Sequence, residues 1–210
     1  QSSNFYFISF DNFMSECDEI FDVVDSEDMV IGKASRLQVH KNDLMHRSVH
    51  ILVFNSAGSL FLQKRAMIKD ESPGLWDSSA AGHVESGEDY ISCAKRELKE
   101  ELSLSDVQLD EVLSIPAQST TFWEHVRVYK CVTDSNICIN KNEISEGRYI
   151  NLSEVRTLMQ LNHKIYTSTF RLIYTNYINI MSLIKKLFGT LAQKPWEENQ
   201  AKIDNHHQGR

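Results

Sequence analysis

The hydrophobic and polar positions along the chain predict a succession of short strands and two longer helices. The first stretch, EIFDVVDSEDMVIGKAS, has the pattern of two short strands around a polar turn at residues 25–28. The next segment, SRLQVHKNDLMHRSVH, is predicted as a loop or short helix that carries three histidines. HILVF and SLFLQKR are typical of two strands in a hairpin-like pair with a turn at residues 55–58, and SSAAGHV predicts a small-residue strand.

Two segments have the periodicity of amphipathic helices. Between Asp89 and Leu102, apolar residues recur at spacings of one, three and four, and acidic residues lie on the opposite side. The second helix is predicted to end at Gly189, which suits a helix C-terminus. Its apolar stripe is predicted to pack into the core and consists of Phe170, Ile173, Tyr174, Tyr177, Met181, Ile184 and Phe188.

The remaining elements complete the predicted fold class. Strands are predicted around residues 107–115, 122–132 and 146–151, and a short helix from Ser153 to Gln160. The order of strands, helix, strands and helix favours an α/β (α+β) fold over a regular parallel alternation.

Composition limits the number of domains and the kind of partner. With 210 residues, 41% of them apolar, we expect one domain at residues 18–189, an N-terminal arm or artificial extension at 1–17, and a polar tail at 190–210. A net charge of -7 disfavours a nucleic-acid partner, and no apolar run approaches the length of a membrane span. Four cysteines without a C-x-x-C pair suggest reduced thiols and a cytoplasmic protein.

The helix that begins near Asp89 carries a dense acidic cluster. Glu97, Glu100 and Glu101 are three and four residues apart, so they share a face beside Arg96. Taken alone, this cluster is also explained by a solvated helix face with salt bridges. Hard carboxylate oxygens nevertheless suit Mg²⁺ or Mn²⁺, cations that also bind phosphates.

The stretch around this helix resembles the Nudix box, G-x5-E-x7-R-E-U-x-E-E-x-G-U, in which U is a bulky aliphatic residue. The one departure is Ser103, which stands where the family has glycine; a non-glycine residue there affects local geometry rather than a ligand. The matching positions are Gly82, Glu88, Arg96, Glu97, Leu98, Glu100, Glu101 and Leu104.

The resemblance implies the Nudix fold, a mixed β-sheet sandwiched between α-helices. It also implies hydrolysis of a nucleoside diphosphate linked to another group X, or of a related diphosphate, by water that attacks phosphorus with Mg²⁺ or Mn²⁺ as cofactor. In the same resemblance Glu97, Glu100 and Glu101 are metal ligands, with Glu97 as an alternative general base. Arg96 would orient the glutamates, the carbonyl of Gly82 would complete the metal site, and Glu88 would brace the loop.

Residues 18–155 are also similar to the Nudix subgroup that includes type I isopentenyl-diphosphate isomerase. The catalytic cysteine of that isomerase corresponds to Ala81, its partner glutamate to Glu124, and a second glutamate ligand to Phe122. Alanine cannot transfer a proton, and the box carboxylates are intact, so hydrolysis is expected over isomerisation. A non-catalytic ligand-sensing or binding protein is the competing class of function.

The same subgroup suggests further residues at the site. His40, His46 and His83 match a histidine-rich metal site, although isolated histidines more often cap or pack, so a second metal site stays open. Arg65 and Lys69 correspond to residues that hold a diphosphate, and two cations beside the box would complement phosphate charge.

Three acidic residues compete for the role of general base, and the sequence does not choose between them. Glu143 precedes a predicted strand, as an acidic residue does in many Nudix hydrolases, Glu146 is an alternative, and Glu124 is a third. The expected partner is a small-molecule diphosphate, and a homodimer is left open. Three aromatic residues are candidates to stack on a base or line an apolar pocket, with core packing as the alternative: Trp76, Phe122 and Trp123.

Overall fold

The computed structural model describes residues 19–189, so the predicted arm and tail lie outside the described residues. Short helices of the 3-10 type lie at Ser119–Thr121 and His163–Ile165. The other elements, in chain order, are β1 Ile20–Val24, β2 Val30–Ser35, α1 Arg36–Lys41, β3 His46–Phe54, β4 Leu60–Arg65, β5 Trp76–Asp77, β6 Ala80–His83, α2 Tyr90–Leu102, β7 Asp110–Ile115, β8 Glu124–Val132, β9 Ile144–Ile150, α3 Leu152–Asn162 and α4 Ser168–Phe188.

Seven strands form a mixed sheet in which β3 is central. Strand β3 runs parallel to β8 and antiparallel to β6, and β4 pairs with β5 and β9. Strands β1 and β2 form a separate antiparallel pair, as the sequence predicts. The predicted hairpin-like pair of β3 and β4 is confirmed as an antiparallel pair. Its register joins Phe54 to Leu60 next to the turn, and over the rest of their lengths β3 pairs with β6 and β8, and β4 with β5 and β9.

Helices cover both faces of this sheet because successive side chains of β3 point to opposite sides. Val49, Ile51 and Val53 pack against the apolar face of α2. Leu52 and Phe54 belong to a second hydrophobic cluster that includes side chains of α3 and α4. The predicted α+β sandwich is therefore confirmed. Among residues 19–189, no helix combines the length and the apolarity that crossing a membrane requires.

The ends of α2 are fixed by capping residues. The Asp89 carboxylate accepts a hydrogen bond from the backbone N–H of Ser92, which satisfies a donor at the first turn. Ser103 ends the helix with φ 57° and ψ 31°, the left-handed conformation that glycine adopts most easily. This conformation costs a serine about 1 kcal/mol, and the Ser103 hydroxyl offsets part of it by donating to the carbonyl of Cys138 at 3.1 Å.

Two features differ from the sequence-based expectation. Strand β3 begins at His46, four residues before the predicted strand HILVF, so His46 lies on a strand rather than in a loop or short helix, and its side chain is buried beside β8. The apolar stripe of α4 is buried only as far as Tyr177, and Met181 and Phe188 are exposed. Burial ends there because the last turns of α4 extend past the hydrophobic core, a limit that periodicity alone does not encode.

Candidate active site

A cleft of about 640 Å³ opens where β6 meets α2 and the loops that follow β4 and precede β9. Three of the four residues of β6 line it, and each contributes differently: Ala81 and Gly82 face the acidic side chains of α2, and His83 faces other histidines. The cleft therefore joins two groups of predicted site residues along one short strand.

The first group, here called the carboxylate cluster, consists of Glu97, Glu100, Glu101 and Glu143. Glu97 and Glu101 lie one helical turn apart on the buried face of α2, whereas Glu100 lies at the rim with its side chain 56% exposed. One carboxylate oxygen of Glu101 accepts from the side-chain amide of Gln63 at 3.0 Å and from the N–H of Ala81 at 3.2 Å. All four carboxylates line the cleft.

Arg96 connects this cluster to the preceding loop. Its guanidinium donates to both carboxylate oxygens of Glu88, at 3.1 and 3.0 Å, and to the carbonyl of His83 at 3.1 Å. It also donates to Glu97 at 2.6 Å and to Glu100 at 3.3 Å. One side chain thus contacts two of the three box glutamates on α2 and ties the preceding loop to this helix through Glu88.

Burial and crowding oppose ionisation of two members of the carboxylate cluster. Burial raises the pKa of Glu97 to about 7, and the neighbouring Glu100 and Glu143 add to this increase while Arg96 opposes it. Burial likewise raises the pKa of Glu101 well above its ordinary value, and Glu97 and Glu143 contribute. A hard divalent cation would relieve the repulsion between these converging oxygen donors.

Gly82 is required at its position by a close approach rather than by its backbone dihedrals. A β-carbon built on Gly82 would overlap the carboxylate of Glu97. The backbone of β6 therefore comes directly against a box glutamate, and a metal-ligating role for the carbonyl of Gly82 stays a prediction.

Two cationic side chains, Arg65 and Lys69, also line the cleft. The Lys69 ammonium is 2.7 Å from the Glu143 carboxylate, and the Arg65 guanidinium donates to the carbonyl of Glu71 at 3.0 Å. Both side chains line the cleft, as does Glu143, whereas Glu146 is exposed on β9 and does not. The structure thus brings Arg65, Lys69 and Glu143 to the box and leaves Glu146 outside it.

The second group, here called the histidine cluster, consists of His40, His46 and His83. One ring nitrogen from each lies within 4.8 Å of the others. Within the described part of the chain, Nε2 of His40 and Nε2 of His46 are buried without a hydrogen-bond partner. A carboxylate oxygen of Glu124 lies 3.2 Å from Nε2 of His83 and 3.7 Å from Nε2 of His46, and the second distance is too long for a hydrogen bond.

Burial disfavours the charged form of two members of this cluster. It lowers the pKa of His46 to about 4, an effect that the nearby His83 reinforces. It also lowers the pKa of His83 well below its ordinary value, as does the neighbouring Arg36. Neutral imidazole is the form that ligates metal ions, so His46 and His83 are in the ligating form near neutral pH.

The sequence matches the NUDIX domain model over residues 44–170, more than half of the chain. The chain belongs to the Nudix family. Isopentenyl-diphosphate Delta-isomerase 2 of Photorhabdus laumondii is 35% identical over 161 residues, which cover 74% of this chain and 90% of that protein. An uncharacterised Nudix hydrolase of Pseudomonas aeruginosa, PA4841, is 36% identical over 146 residues, 67% of this chain and 85% of the relative.

A solved structure has the same fold. The DR0079 protein of Deinococcus radiodurans superposes with a TM-score of 0.61 at 26% identity, over 69% of this chain and 90% of the other. Relatives thus include both an isomerase and Nudix hydrolases, which confirms the predicted subgroup.

The sequence did not predict two polar contacts of the histidine cluster. Glu71 lies 3.0 Å from Nδ1 of His40, and Arg36 donates to Nδ1 of His83 at 3.2 Å and to both carboxylate oxygens of Asp70 at 3.1 Å. Glu71 and Arg36 belong to no recognisable motif, and they reach the histidines across 31 and 47 residues of sequence, so no local pattern marks them.

The structure also shows which of the remaining aromatic and histidine candidates line the cleft and which pack in the core. Trp76 is a core residue, with the guanidinium of Arg148 4.8 Å from its ring centre. Phe122 is 39% exposed and lines the cleft, while Trp123 does not line it. His50 is buried and bonded to the hydroxyl of Ser78 at 2.7 Å, apart from the histidine cluster.

Proposed function

We propose that this Nudix protein is a divalent-cation-dependent hydrolase that cleaves a diphosphate linkage in a small molecule, such as a nucleoside diphosphate linked to X, by water attack at phosphorus. The observation that carries the proposal is the carboxylate cluster held by Arg96 against the backbone of Gly82. Family membership and the relatives named as Nudix hydrolases support hydrolysis of an acid anhydride.

The donors suit Mg²⁺ or Mn²⁺, which would be held by Glu97, Glu100, Glu101 and the carbonyl of Gly82. When bound, such a cation neutralises diphosphate charge and lowers the pKa of an attacking water. Gln63 and the N–H of Ala81 fix the carboxylate of Glu101 for this role.

Glu143 is the favoured general base. It shares the cleft with the box glutamates and contacts Lys69, whereas Glu146 is exposed and Glu124 lies against the histidine cluster. Glu97 stays an alternative because its raised pKa would also suit proton transfer near pH 7. Lys69 and Arg65 would bind the diphosphate oxygens, since both side chains line the same cleft as the carboxylates and carry the opposite charge.

A panel assay tests the proposal. The protein is incubated with Mg²⁺ and ADP-ribose, nucleotide sugars, NADH, nucleoside triphosphates or prenyl diphosphates, and cleavage products are quantified. We expect turnover of at least one member and a fall in kcat of about 10²- to 10⁴-fold for Glu143→Gln, the range for loss of a general base. Glu146→Gln is the matched control, and its kcat should stay within about twofold of wild type.

Two results would contradict the proposal. Absence of turnover for every panel member, together with unchanged Mn²⁺ affinity in Glu101→Gln, would exclude a metal-dependent hydrolase at this site. Ligand-induced thermal stabilisation without any product would instead favour the non-catalytic binding class. Equal activity of Glu143→Gln and wild type would reject the assignment of the base alone.

The isomerase relative motivates a second, weaker candidate. Ala81 lines the cleft where that subgroup has a catalytic cysteine, and a methyl group cannot exchange a proton with an alkene. NMR of the prenyl-diphosphate reaction separates the two: a shifted double bond with both phosphates intact indicates isomerisation, and released phosphate or diphosphate indicates hydrolysis.

The histidine cluster supports a second cation with affinity for nitrogen ligands, such as Co²⁺ or Zn²⁺. Nδ1 of His46 lies 2.9 Å from the carbonyl of Leu44, which can only accept, so this nitrogen carries the proton. The lone pair of neutral His46 is then on the buried, unpartnered Nε2 that faces His83 and Glu124.

A further inference from the structure

We propose that Glu71 is a positioning residue for the histidine cluster: it holds His40 in the tautomer whose Nε2 lone pair is available to a cation. The inference rests on the second cation site proposed above. It adds an outer carboxylate that neither the family motif nor the resemblance to the isomerase assigns. The arrangement is a carboxylate–histidine–metal triad, in which the carboxylate binds the nitrogen that the metal does not.

The hydrogen bond to His40 defines this tautomer. Oε1 of Glu71 is 3.0 Å from Nδ1 of His40. A protonated Glu71 would donate to Nδ1 and leave the proton of neutral His40 on the buried Nε2, which has no acceptor among residues 19–189, whereas an ionised Glu71 accepts from Nδ1. Nδ1 therefore carries the proton, and in neutral His40 the lone pair is on Nε2. That atom is buried and has no hydrogen-bond partner among residues 19–189.

A simple ion pair between Glu71 and a doubly protonated His40 does not explain the second nitrogen. Nε2 would then be a buried donor without an acceptor, which costs about 1 to 3 kcal/mol. The neutral tautomer avoids this cost because an unprotonated Nε2 requires no acceptor. The environment of Nε2 thus favours a Glu71 that orients neutral His40 over a Glu71 that pairs with a positively charged His40.

His46 shows the same arrangement with a different acceptor. The carbonyl of Leu44 binds its Nδ1 at 2.9 Å, so Glu71 does for His40 what this carbonyl does for His46. His83 is set in the opposite way: Arg36 donates to its Nδ1, and its Nε2 lies 3.2 Å from Glu124. Two of the three rings therefore already present a lone pair, and His83 completes the site only after a change of tautomer.

The tautomer can be measured without any metal. Long-range ¹H–¹⁵N NMR of the metal-free protein distinguishes the two neutral forms of each imidazole, and His40→Gln assigns the signal. We expect His40 with its proton on Nδ1 in wild type and a mixture, or the Nε2–H form, in Glu71→Leu. An Nε2–H form of His40 in wild type would overturn the proposal, even if the leucine variant did not fold.

Cation affinity is the second readout. Co²⁺ is titrated in a large excess of Mg²⁺, which occupies sites made of oxygen donors alone, and binding is followed by visible absorption. Loss of an outer carboxylate typically lowers metal affinity about 10- to 100-fold, and we expect this loss for Glu71→Leu. Glu71→Gln should lose less, because its carbonyl still accepts from Nδ1 although the charge is gone.

Glu85→Gln is the matched control. Glu85 also lines the cleft, and within residues 19–189 it has no ion pair with the histidine cluster, so its loss changes only the charge of the cleft. Its Co²⁺ affinity should equal that of wild type. Wild-type Co²⁺ affinity in Glu71→Leu, alongside lost binding in His40→Ala, would overturn the role of Glu71. Co²⁺ binding unaffected by His40→Ala would overturn the second site, and neither result depends on hydrolase activity.

Discussion

Replacement of Gly82 by alanine tests whether close approach of β6 to Glu97 is what builds the cation site. The added β-carbon would occupy the position of the Glu97 carboxylate, and such contacts are essentially never closer than 3.0 Å. Glu97 must then retreat by about 1 Å, which stretches its 2.6 Å bond to Arg96. A displacement of about 1 Å at a catalytic site can cost on the order of 100-fold in rate.

The same substitution should leave the fold largely intact. Overpacking of a buried site costs about 1 to 3 kcal/mol, which corresponds to a fall in Tm of several degrees for a chain of this size. The assay measures kcat on the best substrate of the panel, Mn²⁺ affinity by electron paramagnetic resonance, and Tm by calorimetry. We expect kcat to fall about 100-fold and Mn²⁺ affinity to fall with it.

Gly32→Ala is the control for this test. Gly32 lies on the exposed strand β2, and a β-carbon there meets nothing within 4 Å. Its activity and Tm should match wild type. If Gly82→Ala kept kcat and Mn²⁺ affinity within about threefold of wild type, the close approach would not build the site, and the geometric reasoning would be refuted.

Two further predictions concern stability. Phe170→Ala should lower the free energy of unfolding by about 3 to 5 kcal/mol, because Phe170 is fully buried. Phe188 is exposed, so Phe188→Ala should change this free energy by less than about 0.5 kcal/mol, and equal effects of the two variants in urea denaturation would show that the hydrophobic core does not end where the structure places it. Burial raises the pKa of Asp28, but hydrogen bonds from Arg47 and Tyr90 outweigh it and hold this pKa below its ordinary 3.8. The ionised carboxylate therefore stabilises the fold above pH 3.8, and the stabilisation is lost as the pH falls through the pKa that Asp28 has in the folded state. Asp28→Asn should therefore be less stable than wild type at pH 7 and converge with it in acid, and a deficit independent of pH would contradict this account.

The sequence by itself determined the family, the fold class and the three glutamates that α2 contributes to the carboxylate cluster. Helical spacing puts Glu97 and Glu101 one turn apart on any helix, and Gly82 and Glu88 stand at fixed distances before them, so this part of the cluster follows from local geometry. The αL conformation of Ser103 also follows from its place just after the helix. These features depend on neighbours within about 20 residues, which a single chain displays directly.

Only the tertiary structure decided which distant residues complete the site. Glu143 rather than Glu146 faces the box because β9 pairs with β4 in one register, and a shift by one residue would reverse the faces. Glu71 meets His40 because a loop after β4 folds over α1, a contact that leaves no periodic trace. The end of burial along α4 likewise depends on the extent of the core beneath it, which is a property of packing rather than of helical period.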